Sequence, residues 1–91
     1  MAGSMTFRIE TEARGRLTVF ILSGRLAKPA IAELTRLFET QTAYRNIALD
    51  LKDVRLVDRE AMRFLMSCEA GGATLEHCTP YIREWMDRET D

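Results

Sequence analysis

Ninety-one residues hold one domain with a thin core, which excludes a multidomain assembly and makes modest stability the expectation unless the chain pairs with a partner or with itself. An apolar share of 46% with 30% charged residues argues against a disordered chain, and a net charge of −1 gives no global reason to expect nucleic acid or an anionic membrane as partner. The longest apolar run, Val19 to Leu22, is far short of a membrane span, no secretory signal opens the sequence, and two scattered cysteines make no disulfide framework, so the expected address is the cytoplasm.

Met1-Ala-Gly-Ser reads as a cloning remnant, leaving residues 5–91 as a single domain. Phe7, Ile9 and Thr11 alternate with Arg8, Glu10 and Glu12, the period of a strand with one wet face. Arg14-Gly15-Arg16 is a turn. Beyond it Leu17, Val19 and Ile21 face one way and Phe20 and Leu22 the other, so this hairpin's second strand is apolar on both faces and belongs inside the sheet. Gly24 to Lys28 reads as a loop, and Pro29 suits the first position of a helix. Ala30, Ile31, Leu34, Leu37 and Phe38 recur at helical spacing through about Thr42, so this helix packs on the sheet and serves as a right-handed crossover to a parallel strand, Ile47 to Leu51.

A turn at Lys52 and Asp53 follows, then Leu56 and Val57, and at Asp58 the period changes from strand to helix. Asp58 is the expected N-cap, accepting from the N–H of Glu60 or Ala61. Ala61, Met62, Leu65, Met66 and Cys68 form the apolar face, Glu60, Arg63 and Ser67 a polar stripe, and Gly71 and Gly72 the stop. Ala73 to Cys78 reads as a strand with Ala73, Leu75 and His77 on one face and Thr74, Glu76 and Cys78 on the other. Thr79 caps a last helix with Pro80 at its first position; Tyr81, Ile82, Trp85 and Met86 make its apolar stripe, while Glu84 and Arg88 face solvent. Tyr81, Trp85 and Met86 are candidates for a partner-binding face, but the stripe is read as core with Trp85 straddling core and surface. The predicted order is β-β-α-β-α-β-α, an α/β domain with a mixed, mainly parallel sheet and helices packed against it.

The run Ile47-Ala-Leu-Asp-Leu-Lys-Asp-Val-Arg-Leu-Val-Asp58, followed by a helix, a Gly-Gly turn and the strand Ala73 to Cys78, resembles the STAS domain of anti-sigma factor antagonists and transporter regulators. Val19-Phe-Ile-Leu-Ser-Gly-Arg-Leu26 is similar to that family's second strand and its Gly-x-Leu turn. The resemblance spans roughly residues 6 to 87 and lies in pattern and order rather than in a rare motif. STAS domains usually add another strand and helix, so by that standard the chain ends early and leaves an edge or a helix face open for association.

In the STAS regulators that switch partners, the residue after the aspartate of the Val-Asp step is a phosphorylatable serine. Here Arg59 stands there, Glu60 and Ala61 follow, and no hydroxyl occurs from Asp58 to Met62. The resemblance therefore implies a module without the phosphorylation switch. Ala27 likewise replaces the usual loop aspartate. What the region offers instead is cations: Arg25 and Lys28 before the first helix, and Arg55, Arg59 and Arg63 around the start of the second. If that loop lies beside the second helix's N-terminus, these charges converge on one rim suited to an acidic partner surface. The competing reading is that Asp53, Asp58 and Glu60 neutralise them as solvated charges. Glu60 either imitates a permanently phosphorylated residue or, more simply, favours the helix start and pairs with Arg63.

His77, Cys78 and Cys68 match neither a nucleophile–base pair nor a common zinc spacing and are read as structural, with Cys68 in the core. No glycine-rich phosphate loop precedes a helix. The expectation is a non-enzymatic protein-binding module without cofactor or metal, an anti-sigma antagonist-like member of a bacterial regulatory complex. Its candidate partner-binding residues are Arg25, Lys28, Arg55, Asp58, Arg59, Glu60 and Arg63. Alternatives from other classes are a subunit regulating a membrane transporter's ATPase and a structural module that self-associates as a homodimer.

Overall fold

The computed structural model describes residues 7–39 and 44–89. Strands β1 (Phe7–Arg14), β2 (Leu17–Leu26), β3 (Ile47–Val57) and β4 (Thr74–Glu76) form one sheet in the order β1-β2-β3-β4, antiparallel between β1 and β2 and parallel elsewhere. Helices α1 (Lys28–Phe38), α2 (Arg59–Ala70) and α3 (Pro80–Glu89) follow β2, β3 and β4. Phe20, Leu22, Leu49 and Leu51 of the inner strands share one buried cluster with Leu34 of α1, Met62 and Leu65 of α2, and Ile82 and Met86 of α3, so all three helices cover the same face. Both parallel connections are helical crossovers between neighbouring strands, which is why one face collects the helices.

The opposite face is largely polar. Arg8, Glu10, Glu12 and Arg14 of β1 lie there in register with Ser23, Ile21, Val19 and Leu17. Arg14 pairs with Glu76 on the far strand. The pair thus spans β2 and β3, whose residues Val19 and Ala48, neighbours in register, are buried.

Several boundaries differ from the sequence expectation, each for a local reason. β2 continues through Leu26 instead of giving way to a loop at Gly24, and β3 runs through Lys52 and Asp53 instead of turning there. Register shifts between Ile21 and Ser23 and between Gly24 and Arg25 take up the extra residues of β3 as bulges, which rephase the strand so that Val54 and Val57 are both buried. Lys52 N–H donates to Asp50 Oδ1 at 3.0 Å inside the first bulge. α1 ends at Phe38, and positions 40–42, into which the helix was expected to run, lie outside the described residues. β4 spans only Thr74–Glu76, because His77 takes φ 55° and leaves the strand alternation. Tyr81, expected in the apolar stripe of α3, is exposed, while Ile82 and Met86 are buried and Trp85 lies between.

At the end of α2 the left-handed conformation belongs to Gly72 (φ 113°), whereas Gly71 stays near helical values at φ −82°. A Cβ on Gly72 would meet the Arg45 backbone at 3.4–3.5 Å as well as an unfavourable φ. Gly72→Ala is therefore expected to lower stability by about 1–3 kcal/mol. A thermal midpoint unchanged from the wild type would contradict this.

Candidate functional site

The start of α2 is fixed from both sides. Asp58 has extended backbone (φ −87°, ψ 176°), and its Oδ1 accepts from Ala61 N–H at 2.8 Å, the expected cap. Its own N–H donates to Leu26 O at 3.2 Å. That bond, with the pairs Arg25↔Leu56 and Leu26↔Val57, sets the end of β2 beside the helix start, so Arg25 does lie next to the α2 N-terminus. Lys28 opens α1 two residues after Leu26. All seven residues singled out in the sequence, Arg25, Lys28, Arg55, Asp58, Arg59, Glu60 and Arg63, are exposed.

Among them Arg55 has different neighbours from Arg59 and Arg63. Arg55 lines an open groove of about 530 Å³ with Ser23, Gly24, Lys52 and Asp53, at the bulges. Leu56, the next residue along β3, is 55% exposed, the most open of the large aliphatic side chains among the described residues. Arg59 and Arg63 turn instead toward α3. Arg59 Nη2 stands 3.3 Å from Glu89 Oε2 and Arg63 Nε 3.8 Å from Glu89 Oε1. The pairing expected between Glu60 and Arg63 is thus replaced by one with Glu89, whose Oε2 also accepts from Trp85 Nε1 at 3.3 Å. A second contact fixes the two helices, since Arg83 Nη1 and Nη2 donate to the two oxygens of Glu69 at 3.1 Å each, a fork geometry. Glu89 and Leu56 were not among the sequence candidates, and Trp85 entered only through the apolar stripe of the last helix.

On the open face of the sheet, Asp50, Glu76 and His77 each bring a potential ligand atom to within 4.8 Å of the others. Asp50 and Glu76 are register partners on β3 and β4, and the left-handed backbone at His77 turns its ring to the same side, contrary to the face expected from strand alternation. His77 Nδ1 lies 3.0 Å from Asp50 Oδ1, Lys52 N–H donates to the same oxygen, and Glu76 pairs with Arg14. These groups already partner one another, so the arrangement acts as a tie across the face.

Burial pushes the Asp50 carboxyl up, but the Lys52 N–H and His77 pull it down by more, leaving it below its ordinary value. A depressed carboxyl contributes stability that is present above its unfolded pKa of about 3.9 and is lost as pH falls through the folded value. The stability gap between wild type and Asp50→Asn is therefore expected to narrow as pH drops from about 5 to about 3. Urea unfolding across that range checks it, and a constant gap counts against the pairing.

Cys68 is buried on α2, where loss of water pushes its thiol up to about 12. Burial also raises Cys78, against a smaller lowering by Arg83. Neither is a thiolate near neutral pH.

No protein-family model and no curated protein matches the sequence. Among solved structures, the chain is similar to the crystal structure of an antisigma-factor antagonist STAS domain from Rhodobacter sphaeroides, with a TM-score of 0.59 and 12% identity over 81% of this chain and 89% of that one. The fold is STAS-like, as its strand and helix order suggested.

Proposed function

We propose that the chain is a non-catalytic protein-binding module, an anti-sigma antagonist-like regulator without the phosphorylatable serine, whose partner docks at the α2 N-terminal rim. The observation that carries this reading is the exposure of Arg59 and Arg63, 67% and 66% at the side chain, on a helix start pinned to β2. A rigid frame presents these cations, so an acidic surface meets them without ordering a loop first. Arg59 stands where the switching STAS regulators resembled by this sequence carry serine, which supports binding that is not gated by phosphorylation there. The similarity in fold to an antisigma-factor antagonist supports the same class of partner. The setting that goes with this reading is the bacterial cytoplasm; among the described residues no helix is long and apolar enough to cross a membrane.

The test is affinity capture from the native host with the domain as bait, beside an Arg59→Ser/Glu60→Ser variant. The reading expects a sigma-factor regulator on the wild-type bait and an altered amount on the variant. Recovery of permease or ATPase subunits, or of the domain alone, would replace it with a transporter-regulating or self-associating role.

A further inference from the structure

We infer that Arg59 and Arg63 form a receptor for carboxylates of the partner, that Glu89 fills this receptor in cis, and that an acidic protein surface binds by displacing it. The inference rests on the proposed docking at the α2 rim and specifies what that rim recognises.

Arg59 and Arg63 are one turn apart on α2 and therefore share a face. Around Glu89 stand a guanidinium nitrogen at 3.3 Å, another at 3.8 Å and an indole N–H at 3.3 Å. Two cations and a neutral donor surrounding one carboxylate is the composition of an anion site. Glu89 is only 14% exposed, whereas the arginines above it remain mostly in water. Each guanidinium meets Glu89 through one nitrogen, so among the described residues further N–H donors are left for a second anion.

Glu89 also stands in the last turn of α3, where the helix dipole disfavours negative charge. What holds the carboxylate there is the pair of α2 arginines, with the Trp85 indole one turn back on α3. Each guanidinium stands mostly in water and meets Glu89 through one nitrogen, so the pairs are weak and the internal ligand is displaceable. It is nevertheless tethered, and a tethered group acts at a local concentration of the order of millimolar, which a single dilute carboxylate does not overcome. A surface carrying several carboxylates does, by engaging both guanidiniums at once. The partner is thus selected for clustered acidic residues rather than for any one anion.

Fluorescein-labelled hexaglutamate, followed by anisotropy at low salt, tests this on the wild type, Glu89→Ala and Arg59→Gln/Arg63→Gln. Glu89→Ala is expected to bind about three- to tenfold more tightly than the wild type. The chain has one tryptophan, so a single indole N–H resonance reports the loss of its Glu89 acceptor. As peptide is added to the wild type, that resonance is expected to move toward its position in Glu89→Ala. Equal affinities of wild type and Glu89→Ala, or an indole resonance that stays put while peptide binds, would overturn the displacement. The double glutamine variant is expected to lose the peptide; binding as tight as the wild type would instead remove the docking rim itself.

Discussion

Phe20→Ala is expected to lower the free energy of unfolding by about 3–5 kcal/mol, the range for deleting a buried ring from a packed core. Phe20 is 1% exposed, lies between Thr11 and Leu49 in the sheet, and belongs to the main buried cluster. Its ring meets Phe38 of α1 at a centroid distance of 5.2 Å and a tilt of 55°, and Phe38 in turn stacks on Phe64 of α2 at 5.8 Å and 19°. One ring therefore links the sheet to α1 and, through it, to α2. A domain of this size has roughly 5–15 kcal/mol in all, so the variant retains little margin at 37 °C. Phe20→Leu keeps most of the volume and is expected to lose less than about 1.5 kcal/mol. Urea unfolding of the pair checks the claim: a loss below about 1 kcal/mol in Phe20→Ala would mean that this aromatic chain does not organise the core.

The elements legible in the sequence are those whose signals are local. The alternation from Phe7 to Glu12, the apolar spacing from Ala30 to Phe38, and the change of period at Asp58 each depend on a few neighbouring residues, and each produced its element. The Asp58 cap was readable for the same reason, since its acceptor and the Ala61 N–H are three residues apart. The β3 bulges were not readable, because an extra residue in a strand is defined only against the partner strand. Lys52-Asp53 carries the polarity of a turn, yet pairing with Ser23 and Gly24 keeps it extended. The left-handed backbone at His77 escaped for a related reason: the strand had already ended at Glu76, and the ring is drawn to Asp50, 27 residues earlier.

The candidate site shows the same division. That cations gather near the α2 start is written in the sequence. Which way they point is not, because Glu89 lies 26 residues beyond Arg63 and meets it only after α3 has packed on α2 through Ile82 and Met86. Leu56 likewise reads as one more apolar residue of a strand. Only the bulge between Gly24 and Arg25 determines that Val54 and Val57 are buried while Leu56 faces water.

Arg59→Glu/Arg63→Glu is expected to weaken binding to the captured partner by about a hundredfold while leaving the domain folded, because reversal replaces two attractions with two repulsions at the point of contact. The fold itself has little at stake. Ion pairs whose cations stand in water contribute about 0.2–1 kcal/mol each, and Glu89 keeps the Trp85 N–H when both arginines are reversed. Unfolding by urea should therefore show a modest loss, and the binding defect should far exceed it. A control separates local docking from long-range steering: Arg8→Glu/Arg16→Glu makes the same change in net charge on the β1–β2 hairpin instead of on α2. If the rim is the docking surface, the control keeps its dissociation rate and loses only some association rate, an effect that added salt erases. Equal losses in both variants would assign the effect to the charge of the whole molecule. An α2 variant that binds as the wild type does would place the partner elsewhere, with the groove at Arg55 and the exposed Leu56 the next surface to change.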